Sequence, residues 1–195
     1  MKKTLLAVAA LCALTSGAAM AQQQNGPWQV RVRAVNVDLA SAGANGVSVK
    51  DKTIPELDIS YYFTPNIAAE LILTYPQKHD VRLNGAKVGS VKELPPTLLM
   101  QYHFTQFGAL KPYLGAGINY TRFSGAKFND GSKIDLKKNS WGGALQVGVD
   151  YALDKHWSLN LDVKKVYMDT SVHTLNLGKV KLDPVLVGVG VGYRF

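Results

Sequence analysis

The last fourteen residues, Leu182 to Phe195, constrain the fold most. From Val185 every second position is large and apolar (Val185, Val187, Val189, Val191, Tyr193, Phe195), and the residues between them are Leu186, Gly188, Gly190, Gly192 and Arg194. A two-residue period puts the two sets on opposite faces of a β-strand. One face is wholly apolar and the other is mostly glycine. The chain then stops on Phe195, and an aromatic residue that carries a terminal carboxylate is costly to bury in a soluble core. A strand whose apolar face meets lipid, and whose inward face must be small to fit a narrow barrel, accounts for both features.

The other end fits export. Lys2 and Lys3 precede an apolar run from Leu5 to Leu14, which closes on Ala19-Met20-Ala21. This pattern predicts a secretory signal peptide over residues 1–21, too short to cross a bilayer, followed by a single domain over 22–195. Leu11 stands where a lipoprotein signal needs a small residue before Cys12. Cleavage after Ala21 removes the only cysteine, so no disulfide is expected. Nothing after it resembles a transmembrane helix.

Eight segments alternate in polarity: Trp28 to Leu39, Ile54 to Phe63, Ile67 to Gln77, Pro96 to Phe104, Pro112 to Phe123, Ser140 to Ala152, Trp157 to Met168, and the terminal strand. The connections 64–66, 105–111 and 153–156 are short, while 40–53, 78–94, 122–139 and 169–183 are long. Short turns on one side and long loops on the other predict an all-β, eight-stranded antiparallel up-and-down transmembrane β-barrel in an outer membrane, with both termini in the periplasm. A secreted barrel with its apolar face inward would place the many glycines on a solvent-facing exterior, where they have no packing reason to be.

Strand direction gives each inward residue a height. Arg31, Arg33, Glu70, Asp150, Asp162, Lys164 and Arg194 form the expected charge network of the lower and middle lumen. It is read as structural, because a buried charge must be paired. Val35, Val37, Ile72, Leu99, Val166, Met168 and Leu186 form an expected apolar path above it, which would admit hydrophobic solutes and resist ions by dewetting. Simple filling of a narrow barrel is the competing explanation. Strand one leaves a choice of phase. Asn36 and Asp38 would face lipid unless the strand has left the membrane there or a bulge turns Val35 and Val37 outward.

The four long connections hold thirteen Lys or Arg against seven Asp or Glu, which accounts for the whole basic surplus of the mature chain. Lipopolysaccharide phosphates lie at the rim these loops occupy, and Lys127, Lys133, Lys137, Lys138 and Lys165 are the residues expected to face them. A merely solvated loop set is the alternative. No basic helix or stacking platform points to nucleic acid. Catalysis is not expected either. His79, His103, His156 and His173 show no metal-ligand spacing, no hydrolase motif is present, and no cofactor or metal is implied.

Several segments carry a family likeness: Leu94-Pro95-Pro96-Thr97-Leu98, the run from Lys111 to Thr121, Ser140 to Tyr151, Leu182-Asp183-Pro184 and Gly192-Tyr193-Arg194-Phe195. In register across the mature chain, they resemble the OmpW family of Gram-negative outer membrane proteins. The resemblance implies a monomeric eight-stranded barrel around a narrow, largely hydrophobic channel that passes small hydrophobic molecules. It also implies that the terminal aromatics, Tyr193 and Phe195, form a signal read by the barrel-assembly machinery. The competing function is that of a surface receptor or adhesin, or a structural barrel, whose exposed loops bind partners without leaving a motif.

Overall fold

A computed structural model describes residues 26–38, 47–49, 52–83, 86–132, 139–167, 169–172, 178–181 and 183–195. The expected signal peptide, with Cys12, lies outside them. The strands are β1 (Trp28–Asp38), β2 (Val47–Val49), β3 (Lys52–Tyr62), β4 (Ile67–Leu73), β5 (Gln77–Leu83), β6 (Ala86–Leu94), β7 (Thr97–His103), β8 (Leu110–Phe128), β9 (Asn139–Ala152), β10 (Trp157–Val166), β11 (Asp169–Val172), β12 (Gly178–Lys181) and β13 (Val185–Arg194). Eight of them close a ring of antiparallel ladders in the order β1, β3, β4, β7, β8, β9, β10, β13 and back to β1. Closure leaves the ring with no free edge strand, the condition for strands to cross a bilayer.

The outward positions are large, apolar and exposed, among them Val32, Leu57, Leu71, Leu98, Ile118, Leu145, Leu159 and Val189. Two aromatic girdles bound this band. At the periplasmic side Trp28 packs edge-on to Tyr61, Tyr61 to Phe63, Tyr102 to Phe104, and Trp157 to Tyr193. At the outer side Tyr120 packs on Trp141 at 4.8 Å, with Tyr75 and Tyr167 exposed as well. From Trp141 to Tyr151 on β9, the span is roughly 33 Å of strand, or about 25 Å of height at a tilt near 40°. That matches the apolar thickness an outer-membrane barrel presents.

The glycine row of β13 has a definite purpose. Gly190 and Gly192 lie directly across from Arg33 and Arg31. A Cβ on Gly190 would run into the Val32 carbonyl and the Arg33 side chain. The strand is bare on its inner face because two guanidinium side chains of β1 fill that space.

The phase of β1 is settled by unbroken registers with β13 and β3, which run through Val37 and, on the β13 side, to Asp38. There is no bulge. Val35 and Val37 stay buried in the lumen while Asn36 and Asp38 face outward.

The expected loops are reduced. β8 runs on to Phe128, and 78–94 is largely a hairpin of β5 and β6 rather than loop. Asn84-Gly85 between alternating runs is a strong short-range turn signal that the expectation of a loop over 78–94 left out of account. Its base is interrupted on both strands. Thr74-Tyr75-Pro76 separates β4 from β5, and Pro95-Pro96 separates β6 from β7. Proline has no N–H to give a ladder. Above this break β5 pairs with β2, not with β3. The β3–β4 ladder ends at Leu57 across from Leu73. Among the described residues, Lys52 to Glu56 of β3 therefore pair only with β1, and Pro55 sits in this one-sided stretch, where a missing N–H costs nothing.

Candidate functional site: an ion-paired floor beneath an apolar chamber

The lower lumen is closed by charge. In the β1–β3 register Arg31 lies across from Asp58 and Arg33 across from Glu56. Arg31 grips Asp150 with two nitrogens, Nε to Oδ1 at 3.2 Å and Nη2 to Oδ2 at 2.7 Å. Its Nη1 donates to Asp58, to Glu70 and to Ser60 Oγ at 2.9 Å. Arg33 Nη2 lies against both Asp58 and Glu70, its Nε is 3.1 Å from Glu56, and its Nη1 is 3.3 Å from Asp162. Lys164 Nζ bridges Glu56 at 2.6 Å and Asp162 at 2.8 Å. Gln146 Nε2 donates to Glu70 and Asp162, both at 2.8 Å, and Tyr113 Oη donates to Asp162 at 3.1 Å. Every one of these side chains is buried.

Five carboxylates and three cations make up this layer. Arg194 and Lys111, both half-buried at the periplasmic mouth, face it from below. Among the described residues, Arg194 takes no part in the ion pairs. It lies 3.8 Å over the Tyr62 ring and donates from Nε to the Gly26 carbonyl. The other six expected network residues are all in the layer. Glu56, Asp58 and Tyr113 belong there too. Strand parity points all three inward, and Gly148, directly across from Tyr113, signals the space that the Tyr113 ring occupies.

Above the floor the lining turns apolar. Ile72, Leu99, Phe123, Ala144 and Val166 pack as one buried cluster, Val35, Val37 and Ile54 as another, and Leu186 touches both. Between them is a chamber of about 40 Å³ lined by Val37, Ile54, Ile72, Pro95, Val166 and Leu186, with Glu56 and Lys164 at its base. Thr74 and Gln77 border it where β4 gives way to β5. Lys52 Nζ donates to Gln77 Oε1 at 3.1 Å, linking β3 to β5 across the stretch without a ladder. Of the expected path, Val37, Ile72, Val166 and Leu186 line the chamber, Val35 and Leu99 are packed beside it, and Met168 lies outside the described residues.

The remaining expected sites divide. Tyr193 and Phe195 are exposed at the periplasmic rim, stacked 6.2 Å apart. Lys127 is exposed at the end of β8. Lys165 is half-buried and donates to the Asp183 carbonyl, so its ammonium is held by the chain itself. Lys133, Lys137 and Lys138 lie outside the described residues. His103 is buried, stacked on Tyr113 at 4.9 Å, and His156 Nδ1 lies 2.7 Å from the Arg194 carbonyl in a periplasmic turn.

A lipid-facing barrel with two girdles, an ion-paired floor and an apolar upper lumen narrows the kinship, and the OmpW family profile matches residues 22–195. The chain belongs to the OmpW family. It is an outer membrane protein like its relatives. An uncharacterized outer-membrane protein, y4mB, of Sinorhizobium fredii is 51% identical over 87% of this chain and 80% of its own length. Outer membrane protein W of Escherichia coli is 37% identical, with 100% of both chains covered. The dibenzothiophene metabolism operon protein PahQ of Pseudomonas aeruginosa is 27% identical over 88% of this chain and 90% of its own. The crystal structure of the outer membrane protein OprG from Pseudomonas aeruginosa is similar in fold, with a TM-score of 0.71 at 28% identity, covering 89% of this chain and 98% of that one.

Proposed function

We propose that this barrel passes small hydrophobic molecules from the cell exterior into the outer membrane. They would enter the apolar chamber from above and leave sideways between β3 and β4. One observation carries the reading: the chamber is closed below by the ion-paired layer and borders the one-sided stretch of β3. A polar solute in the chamber would give up hydrogen bonds to water at a cost of roughly 1–3 kcal/mol per group, and an apolar solute would not. At about 40 Å³ the chamber holds only a few waters, so an aromatic solute needs it to widen. The stretch without a ladder is where widening costs fewest hydrogen bonds. The name of PahQ ties that relative to an operon for metabolism of an apolar aromatic compound, which supports an apolar cargo here.

The barrel closes within one chain, which fits a monomer, and Tyr193 and Phe195 at the rim suit a signal read by the assembly machinery. Binding and passage, rather than catalysis, fit the structural roles of His103 and His156. The test is uptake of an apolar aromatic compound by cells making the parent barrel, an Ile72→Asp barrel, or none. Ile72→Asp puts an unpaired charge in the chamber wall and should reduce uptake to the level of the strain with no barrel, while the protein still folds and reaches the membrane. Equal uptake by all three strains would reject passage and favour a receptor role for the loops.

A further inference from the structure

Buried polar groups in a folded protein are paired, and one that is not calls for a reason. Among the described residues, the buried side-chain atoms without a hydrogen bond are Arg33 Nε, Asp58 Oδ2, Asp162 Oδ1 and Thr74 Oγ1. The first three belong to the floor, and each lies against an opposite charge: Arg33 Nε against Glu56, Asp58 Oδ2 against Arg33, and Asp162 Oδ1 against Lys164. Thr74 Oγ1 is left with no polar partner of either kind.

Thr74 lines the apolar chamber, in the inward parity of Glu70 and Ile72. It follows Leu73, the last rung of the β3–β4 ladder, and precedes Tyr75, which is exposed at the outer girdle. Its hydroxyl therefore stands where the chamber meets the stretch of wall without a ladder. The other polar side chains of the chamber wall are engaged. Gln77 accepts from Lys52 at 3.1 Å and donates to the Tyr75 carbonyl at 3.0 Å. Thr97 Oγ1 donates to the Pro95 carbonyl and accepts from Asn119, whose Oδ1 accepts in turn from Thr121. Lys164 donates to Glu56. Among the described residues, Thr74 thus offers the one unengaged side-chain hydrogen bond on this wall.

A buried hydroxyl without a partner destabilises a fold, and valine has the same shape without that penalty. A hydroxyl can donate or accept. We propose that Thr74 is the polar anchor of the chamber and selects solutes with a single hydroxyl or carbonyl group on an apolar body over the bare hydrocarbon. This rests on the passage of hydrophobic molecules and narrows their class. The apolar body of such a solute lies against Ile72, Val166 and Leu186, and its one polar group meets Thr74. Because Thr74 adjoins the outer girdle, that group stays near headgroup height while the body moves sideways into lipid, the orientation amphipathic groups adopt at the interface. A second polar group on the body would find the other side chains already engaged and would give up its bonds to water without replacement.

The test compares cells that make the full-length parent barrel, Thr74→Val, Thr74→Ser or no barrel, with folding checked by heat-modifiable mobility. The probes are para-xylene, para-cresol and hydroquinone, which share one shape and carry no, one and two hydroxyls. Uptake by the strain without a barrel is subtracted. In Thr74→Val the ratio of para-cresol to para-xylene uptake should fall by about threefold to tenfold, the effect of one hydrogen bond. Thr74→Ser keeps the hydroxyl and should keep the ratio. Hydroquinone should pass the parent barrel more slowly than para-cresol. Urea unfolding of the purified barrel supplies a readout without solute: Thr74→Val should unfold at higher urea than the parent, because the orphaned hydroxyl is gone. An unchanged ratio in Thr74→Val would overturn the selection by Thr74, and para-xylene uptake through the parent would show that passage itself survives. A Thr74→Val midpoint no higher than the parent's would mean that the hydroxyl is already paired, and would overturn it too. No barrel-dependent uptake of any probe by the parent would reject passage, and the selection with it.

Discussion

Arg31 ties three carboxylates of the lumen floor, Asp58, Glu70 and Asp150, to one guanidinium. Arg31→Met leaves those carboxylates buried with less counter-charge. Unfolding in urea, followed by gel mobility, should show a loss of about 3–5 kcal/mol, the cost of breaking a buried ion network from one side. An unchanged midpoint would mean that water or ions already screen the layer. At the periplasmic turn, the Asp154 carboxylate accepts the N–H groups of His156 and Trp157, each at 2.7 Å, and these hold it below the usual aspartate range. A carboxylate lowered in this way stabilises the fold above its unfolded value of about 3.9, and that contribution is lost as pH falls through its folded value. The His156 and Trp157 amide resonances should therefore shift together in the acid range below about pH 4, and should lose that shift in Asp154→Ala. The inward charges could be read from parity in the sequence. Their partners could not, because which acid faces which arginine depends on the β1–β3 register, and a long connection between two strands does not fix their register as a tight turn does.

At the scale of strands, alternation predicted all eight crossings, and the breaks explain where it fell short. The third crossing was expected to reach Gln77 but stops at Leu73, and Pro76 with Pro95-Pro96 marks the change of partner. Nothing in a polarity pattern says that a strand will trade one neighbour for another above a proline. Packing between β8 and β9 gives a sharp test. A Cβ on Gly148 would meet the Tyr113 ring, so Gly148→Ala should lower stability by about 1–3 kcal/mol through overpacking. In a Tyr113→Ala background, where the ring is gone, the same Gly148→Ala change should cost less, the Leu161 carbonyl being the contact that stays. Equilibrium unfolding of the three variants reads this directly. At the terminal strand, deleting Phe195 removes one exposed ring and should leave refolding into detergent intact while lowering the level in the outer membrane of cells. Normal membrane levels would contradict an assembly role for the terminal aromatic.

The whole molecule combines a closed floor, an apolar chamber and a wall that lacks a ladder beside the chamber, and the account depends on all three acting together. Lys52 and Gln77 face each other across that stretch, 3.1 Å apart at their polar ends, which makes them the place to control it. The decisive measurement is the uptake rate of an apolar aromatic compound by cells producing a Lys52→Cys, Gln77→Cys barrel, before and after a cleavable bis-maleimide joins the two positions, with a mono-maleimide adduct as the control for bulk. The account predicts that joining them lowers uptake to that of a strain without the barrel, that the mono-adducts do not, and that cutting the linker restores the rate. Uptake that continues unchanged through the joined barrel would contradict sideways exit between β3 and β4.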